Sequence, residues 1–138
     1  MVYLIYLDNV AASFVEDEVL DIFYNTTKKY YANPNSIHKL GREENKMISD
    51  STLRIANMLK VLKDEIIYTS GATESNNLAI KGLCLSYKNY GKHILISSLE
   101  HNSITSSVVS LERLGFEVEV IPVTDKGIVD IESLKNML

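Results

Sequence analysis

Glu65-Ile66-Ile67-Tyr68-Thr69-Ser70-Gly71-Ala72-Thr73-Glu74-Ser75 is the stretch whose reading fixes the class of fold. Its first five residues are rich in β-branched and aromatic side chains and read as a short strand. Ser70 to Thr73 make a turn, and from Glu74 to Tyr87 apolar residues recur on most faces of a helix. Such a helix is expected to be well buried. The same order of strand, turn and helix then repeats. His93-Ile94-Leu95-Ile96-Ser97 is a second strand, a helix carrying Ile104, Val108 and Leu111 follows, and Phe116-Glu117-Val118-Glu119-Val120 alternates as a third strand does. Asp130 is placed to cap a last helix that has barely begun at Leu138. Strands alternating with helices predict an α/β domain with a mainly parallel sheet. A parallel sheet needs cover on both faces and three strands are few for one, so the chain is expected to be cut short.

Upstream, Ile48, Ile55, Leu59 and Leu62 recur at helical spacing on a long helix that stops near Lys63-Asp64. The glutamate and lysine pairs along it read as a solvated face. Tyr31-Ala32-Asn33-Pro34-Asn35-Ser36 breaks the period. Before it, Val19, Ile22 and Phe23 mark a first helix over Asp17 to Tyr30, with Glu16, Asp17 and Glu18 suited to a helix N-terminus. Tyr30-Tyr31 beside Asn33-Pro34 either line a ligand entrance or pack against the loop. Repeats, linkers and low-complexity tracts are absent, and Pro34 and Pro122 fall at a loop and a strand end.

The 138 residues are 46% hydrophobic and 23% charged, the balance of a globular domain. A compact chain of this length buries roughly 70% of the surface its unfolded form exposes, so an ordinary core needs no disulfide or metal. The net charge of −4, without a basic tract, gives no footing for nucleic-acid binding. Cys84 is the only cysteine, which excludes an internal disulfide and a multi-thiolate zinc site, and fits a reducing compartment. The apolar start Met1–Leu7 lacks a basic flank and meets Asp8 too soon for a signal peptide. No run approaches the ~20 apolar residues of a membrane span. A cytoplasmic protein is expected.

Gly71 lets backbone approach a ligand closely, Thr73 offers a hydroxyl, and amides at the start of the following helix point outward, where a phosphate is the natural guest. No Walker A or G-x-G-x-x-G pattern is present. From spacing alone, a capped βα turn without a ligand is the better-supported reading. His101 follows the second strand at its carboxyl end, where open α/β sheets place ligands. Its imidazole can stack on a flat cofactor or relay a proton, or it can simply cap a helix. His38 lies near a helix start and His93 opens a strand, and neither has an i, i+4 partner for a metal. Cys84 is expected to be a small buried residue and not a nucleophile.

Four blocks, in order and with compatible spacing, resemble the N-terminal part of the cysteine desulfurases, pyridoxal 5'-phosphate enzymes of the class V aminotransferase group. Tyr6-Leu7-Asp8-Asn9-Val10-Ala11-Ala12-Ser13 is similar to the family's Y-L-D-N-A-A-T-T opening, departing at Val10, Ala12 and Ser13. Asn33-Pro34-Asn35-Ser36-Ile37-His38-Lys39-Leu40-Gly41-Arg42 resembles N-P-S-S-x-H-x-x-G-R. Tyr68 to Ile80 resembles the T-S-G-A-T-E-S block, and Glu100-His101 falls at the family's E-H pair. Together they reverse the preference at the Gly71 turn.

The resemblance implies an α/β fold of the aspartate aminotransferase-like kind. Residues 1–138 would be the N-terminal arm and first part of the large domain of a pyridoxal-phosphate-dependent transferase. It implies that Gly71, Ala72 and Thr73 hold the cofactor phosphate and that His101 stacks on the pyridine ring and assists proton transfer. It implies L-cysteine as substrate, alanine and an enzyme persulfide as products, a homodimer, and an iron-sulfur scaffold or other sulfur-acceptor protein as partner. The family's Schiff-base lysine, pyridinium-pairing aspartate and persulfide-forming cysteine lie C-terminal to the matched region, so this chain alone is expected to be inactive. Three alternatives remain open: another class V enzyme such as a selenocysteine lyase or aminotransferase; a non-catalytic remnant or split-gene subunit; and an unrelated small phosphate- or nucleotide-binding module.

Overall fold

The computed structural model describes residues 4–138, so the first three residues of the apolar start at Met1–Leu7 lie outside the described residues. The chain divides into two units, Met1–Ile67 and Tyr68–Leu138. In the first unit, an irregular arm is closed on itself by Tyr6, whose hydroxyl lies 2.9 Å from the carbonyl oxygens of both Asp8 and Ala12. Helix α1 spans Asp17–Lys29, with Asp17 and Glu18 in its first turn and Lys28 and Lys29 in its last, as the helix dipole favours. Its apolar stripe falls where the periodicity predicts. No described residue covers it, however, and Phe23 is 71% exposed.

Helix α2 spans Lys39–Leu59 and starts from a tightly folded loop. Asn33 accepts through Oδ1 from the Asn35 amide at 2.9 Å, and the Ser36 amide donates to the Asn33 carbonyl at 3.0 Å. His38 then caps the helix, its Nδ1 accepting from the Gly41 amide at 3.2 Å. Gly41 is buried against that loop, and a Cβ there would lie 2.5 Å from the Ser36 carbonyl oxygen and 2.7 Å from that of Asn33. The helix stops short of the expected end near Lys63-Asp64, because Lys60 adopts a left-handed φ of 57° and closes it, and a single 3-10 turn follows over Lys63–Glu65. Exposed pairs Lys39–Glu43 and Lys46–Asp50 occupy the polar face, as the charge pattern predicts.

The strand expected over Glu65 to Thr69 is not formed. Glu65 belongs to the 3-10 turn, and Ile66, at φ −92° and ψ 119°, is extended without entering a strand. A β-rich composition makes a ladder only where another strand offers its amides and carbonyls in register, and the described sheet contains β-ladder pairing only farther along the chain. The sheet therefore has two strands in place of three.

Within the second unit, helix α3 (Ala72–Tyr87), strand β1 (His93–Ser97), helix α4 (Asn102–Glu112), strand β2 (Glu117–Ile121) and helix α5 (Ile131–Met137) follow in order. β1 and β2 pair in parallel, with His93 opposite Glu117 and Ser97 opposite Ile121. A parallel pair requires a long crossover, and α4 supplies it, packing on both α3 and β2. The core is built from Val108 and Leu111 of α4 with Phe116 and Ile121. Gly115, at φ 84°, turns the chain out of α4 so that the Phe116 amide reaches back to the Leu111 carbonyl at 3.2 Å. Asp130 caps α5 as predicted, accepting from the Glu132 and Ser133 amides. Burial of α3 is the second correction: it contains no fully buried residue, and Leu83 is 62% exposed. An all-round apolar sequence reports what a helix can bury, and here only the side toward α4 is covered. Cys84 is accordingly half-buried and not enclosed. Among the described residues, no helix is long and apolar enough to cross a membrane.

Candidate functional site

The turn from Thr69 to Glu74 is braced by its own side chains. Thr69 and Ser75 hydroxyls lie 2.6 Å apart, and the Ser70 amide and hydroxyl donate to Glu74 Oε2 at 2.7 and 2.6 Å. Gly71 is extended, at φ 160° and ψ −179°, so its value here is space. No described atom comes within 4 Å of where a Cβ would stand, leaving that side of the backbone open to a ligand. No side chain caps α3, and its first paired amide is that of Ser75, bonded to the Gly71 carbonyl at 3.1 Å. The amides of Ala72 and Thr73 are thus without acceptors among the described residues, at the positive end of a helix dipole. The Thr73 carbonyl is occupied by the Asn77 side chain, while its hydroxyl makes no hydrogen bond among the described residues.

Glu74 occupies the Ser70 donors and leaves the others free. The Ser70 hydroxyl first, and its amide second, hold the Glu74 carboxyl below its ordinary value of 4.5, against a small opposing effect of desolvation. A depressed carboxyl contributes stability above its unfolded pKa and loses it as pH falls through the folded value, so the brace is intact at neutral pH and opens only in acid. A carboxyl ¹³C titration should place the Glu74 midpoint below 4.5, and Ser70→Ala should raise it. An unmoved midpoint in that variant would show that the hydroxyl does not hold the carboxylate.

His101 stands at the N-cap of α4, four residues beyond the end of β1. The loop between them is folded by Ser97, whose hydroxyl donates to Glu100 at 2.9 Å. His101 Nδ1 accepts from the Ser103 amide at 3.1 Å and lies 2.9 Å from the Ser103 hydroxyl. The capping alternative is therefore realised, but it uses one ring nitrogen only and leaves an exposed ring. Asn76, in the second turn of α3, donates through Nδ2 to Ser103 Oγ at 2.8 Å. That bond sets the N-termini of α3 and α4 side by side and brings the Gly71 turn and His101 to one end of the unit. Sequence reasoning missed Asn76 and Ser103. Polar side chains near the starts of both helices were the available signal.

The other histidines have structural work: His38 caps α2, and His93 Nε2 meets Glu119 across the sheet at 2.6 Å. Tyr30 and Tyr31 line a small cleft with Ala32, Leu40, Glu43 and Glu44 in the first unit.

The model of the class-V aminotransferases matches residues 5–138. The chain belongs to the class V aminotransferase family. It is 41% identical over 134 residues to the cysteine desulfurase IscS of Dictyoglomus turgidum, a match covering 97% of this chain and 34% of that protein. A solved NifS-like protein superposes with a TM-score of 0.87 at 32% identity, over 94% of this chain and 36% of that one. A structure of SspA in complex with cysteine follows, with a TM-score of 0.81 at 30% identity, over 93% of this chain and 37% of that one. The chain spans about a third of the length of the relatives it matches. Membership of the class V family overturns the alternative of an unrelated phosphate- or nucleotide-binding module. It bears out the expected α/β fold, a small parallel sheet with flanking helices matching the first part of longer chains.

Proposed function

We propose that residues 1–138 are the N-terminal arm and first part of the large domain of a pyridoxal 5'-phosphate-dependent cysteine desulfurase. Gly71, Ala72 and Thr73 hold the cofactor phosphate, and His101 stacks on its ring. The observation that carries this is the pairing of the two helix N-termini through Asn76 and Ser103, with the donors of one uncommitted and the imidazole of the other exposed.

The residues fit the group. A phosphate dianion needs several donors and gains from a positive helix end, and the Ala72 and Thr73 amides with the Thr73 hydroxyl supply both. The open side of Gly71 admits phosphate oxygens against the backbone. When bound, the cofactor supplies an electron sink for charge developing at the substrate α-carbon. This chain's own part is to anchor and orient: the α3 amides fix the phosphate, and the His101 ring, pinned at Nδ1, offers a flat face and a free Nε2 at which a proton can be held. L-cysteine as substrate is supported by the cysteine-bound relative. The lysine, aspartate and sulfur-accepting cysteine of the family come from polypeptide outside these residues. The assembled enzyme is a cytoplasmic homodimer that yields alanine and passes sulfur to an iron-sulfur scaffold or another acceptor protein.

The native polypeptide carrying these residues, given L-cysteine and a dithiol to reduce the persulfide, should release alanine and sulfide in equal amounts. Formation of a keto acid, or alanine from selenocysteine alone, would replace this function with that of another class V enzyme.

A further inference from the structure

We propose that Asn76 and Ser103 are positioning residues that fix His101 as the Nε2–H tautomer. Asn76 Nδ2 can only donate, so at 2.8 Å it makes Ser103 Oγ an acceptor. That bond leaves the Ser103 hydroxyl proton available for His101 Nδ1, 2.9 Å away. The Ser103 amide donates to the same nitrogen at 3.1 Å. Two donors converging on one ring nitrogen require its lone pair, and the proton of the neutral imidazole must sit on Nε2. Ser103 is 6% exposed, so water does not compete for these bonds. Nε2 has no hydrogen-bond partner among the described residues. In its neutral form His101 therefore presents a donor, and not a base, at the exposed nitrogen, while the ring plane is held from α3 through α4.

This inference rests on the reading of His101 as the ring-stacking residue, but its test does not need the cofactor. Long-range ¹H–¹⁵N correlations of the imidazoles, recorded on the full chain at a pH where they are neutral, should show His101 protonated at Nε2 and accepting at Nδ1. Ser103→Ala should raise the Nδ1–H to Nε2–H ratio about threefold or more, the change that losing one ordinary hydrogen bond produces. Asn76→Asp, which would take the hydroxyl proton for itself, should shift the ratio the same way, and Ser103→Thr should restore it. A predominantly Nδ1–H ring in the unsubstituted chain, or an unchanged ratio in Ser103→Ala with α4 intact, would overturn the proposal. Failure of a pyridoxine phosphate probe to reach His101, with the tautomer as stated, would instead count against the cofactor reading alone.

Discussion

Gly41→Ala is expected to destabilise the Met1–Ile67 unit by about 2 kcal/mol. Two effects oppose each other. Alanine in place of glycine inside a helix returns about 1 kcal/mol of propensity. Against this, the new Cβ would lie 2.5 and 2.7 Å from the backbone oxygens of Ser36 and Asn33 and 2.8 Å from Ser36 Cβ. Overpacking of that kind costs up to ~3 kcal/mol where the neighbours cannot yield. Here they are backbone atoms held by the Asn33 side chain, the Ser36 amide and the His38 cap, so relief means losing those bonds. Sterics win. Urea denaturation followed by α2 signals should show the midpoint falling with an unchanged slope. Equal or greater stability would mean the Asn33–Ser36 loop is not fixed against the helix.

Thr73→Val should weaken binding of pyridoxine 5'-phosphate by roughly 10- to 100-fold. That compound retains the ring and phosphate of the cofactor but lacks the aldehyde, so it cannot attach to surface lysines. Valine keeps the shape and β-branching of threonine, leaving α3 undisturbed, and removes only the hydroxyl. A hydrogen bond to a charged group contributes about 1.5–3 kcal/mol, and each 1.4 kcal/mol is a factor of ten in affinity. Pyridoxine without phosphate should bind both forms alike. A variant that binds the phosphate ester as well as its parent would remove Thr73 from the site.

Most of the second unit was legible because its elements are specified locally. The β1 and β2 runs, the α4 periodicity and the Asp130 cap need only neighbours close in sequence. The lost strand at Ile66 to Thr69 and the exposed stripe of α1 show the limit. Composition reveals that a segment is fit to pair or to be buried, but its tertiary neighbours decide whether it is. At the candidate site, Gly71, Ala72, Thr73 and His101 were legible as turn and capping chemistry, and a role toward a cofactor was suggested only by the resemblance of the ordered blocks. The Asn76–Ser103 bond was not, since it joins residues 27 positions apart and depends on how α3 meets α4. Nor could spacing show that Glu74 would occupy Ser70 and leave Ala72 and Thr73 free.

The proposed function requires that the Gly71 turn and His101 form one site for phosphate and ring. Backbone and imidazole NMR signals followed during a titration with pyridoxine 5'-phosphate test it most directly. The Ala72 and Thr73 amides and the His101 ring should shift together along one binding curve, and pyridoxine lacking the phosphate should leave the two amides unmoved. Perturbation of the turn without His101, of His101 without the turn, or of neither, would contradict it.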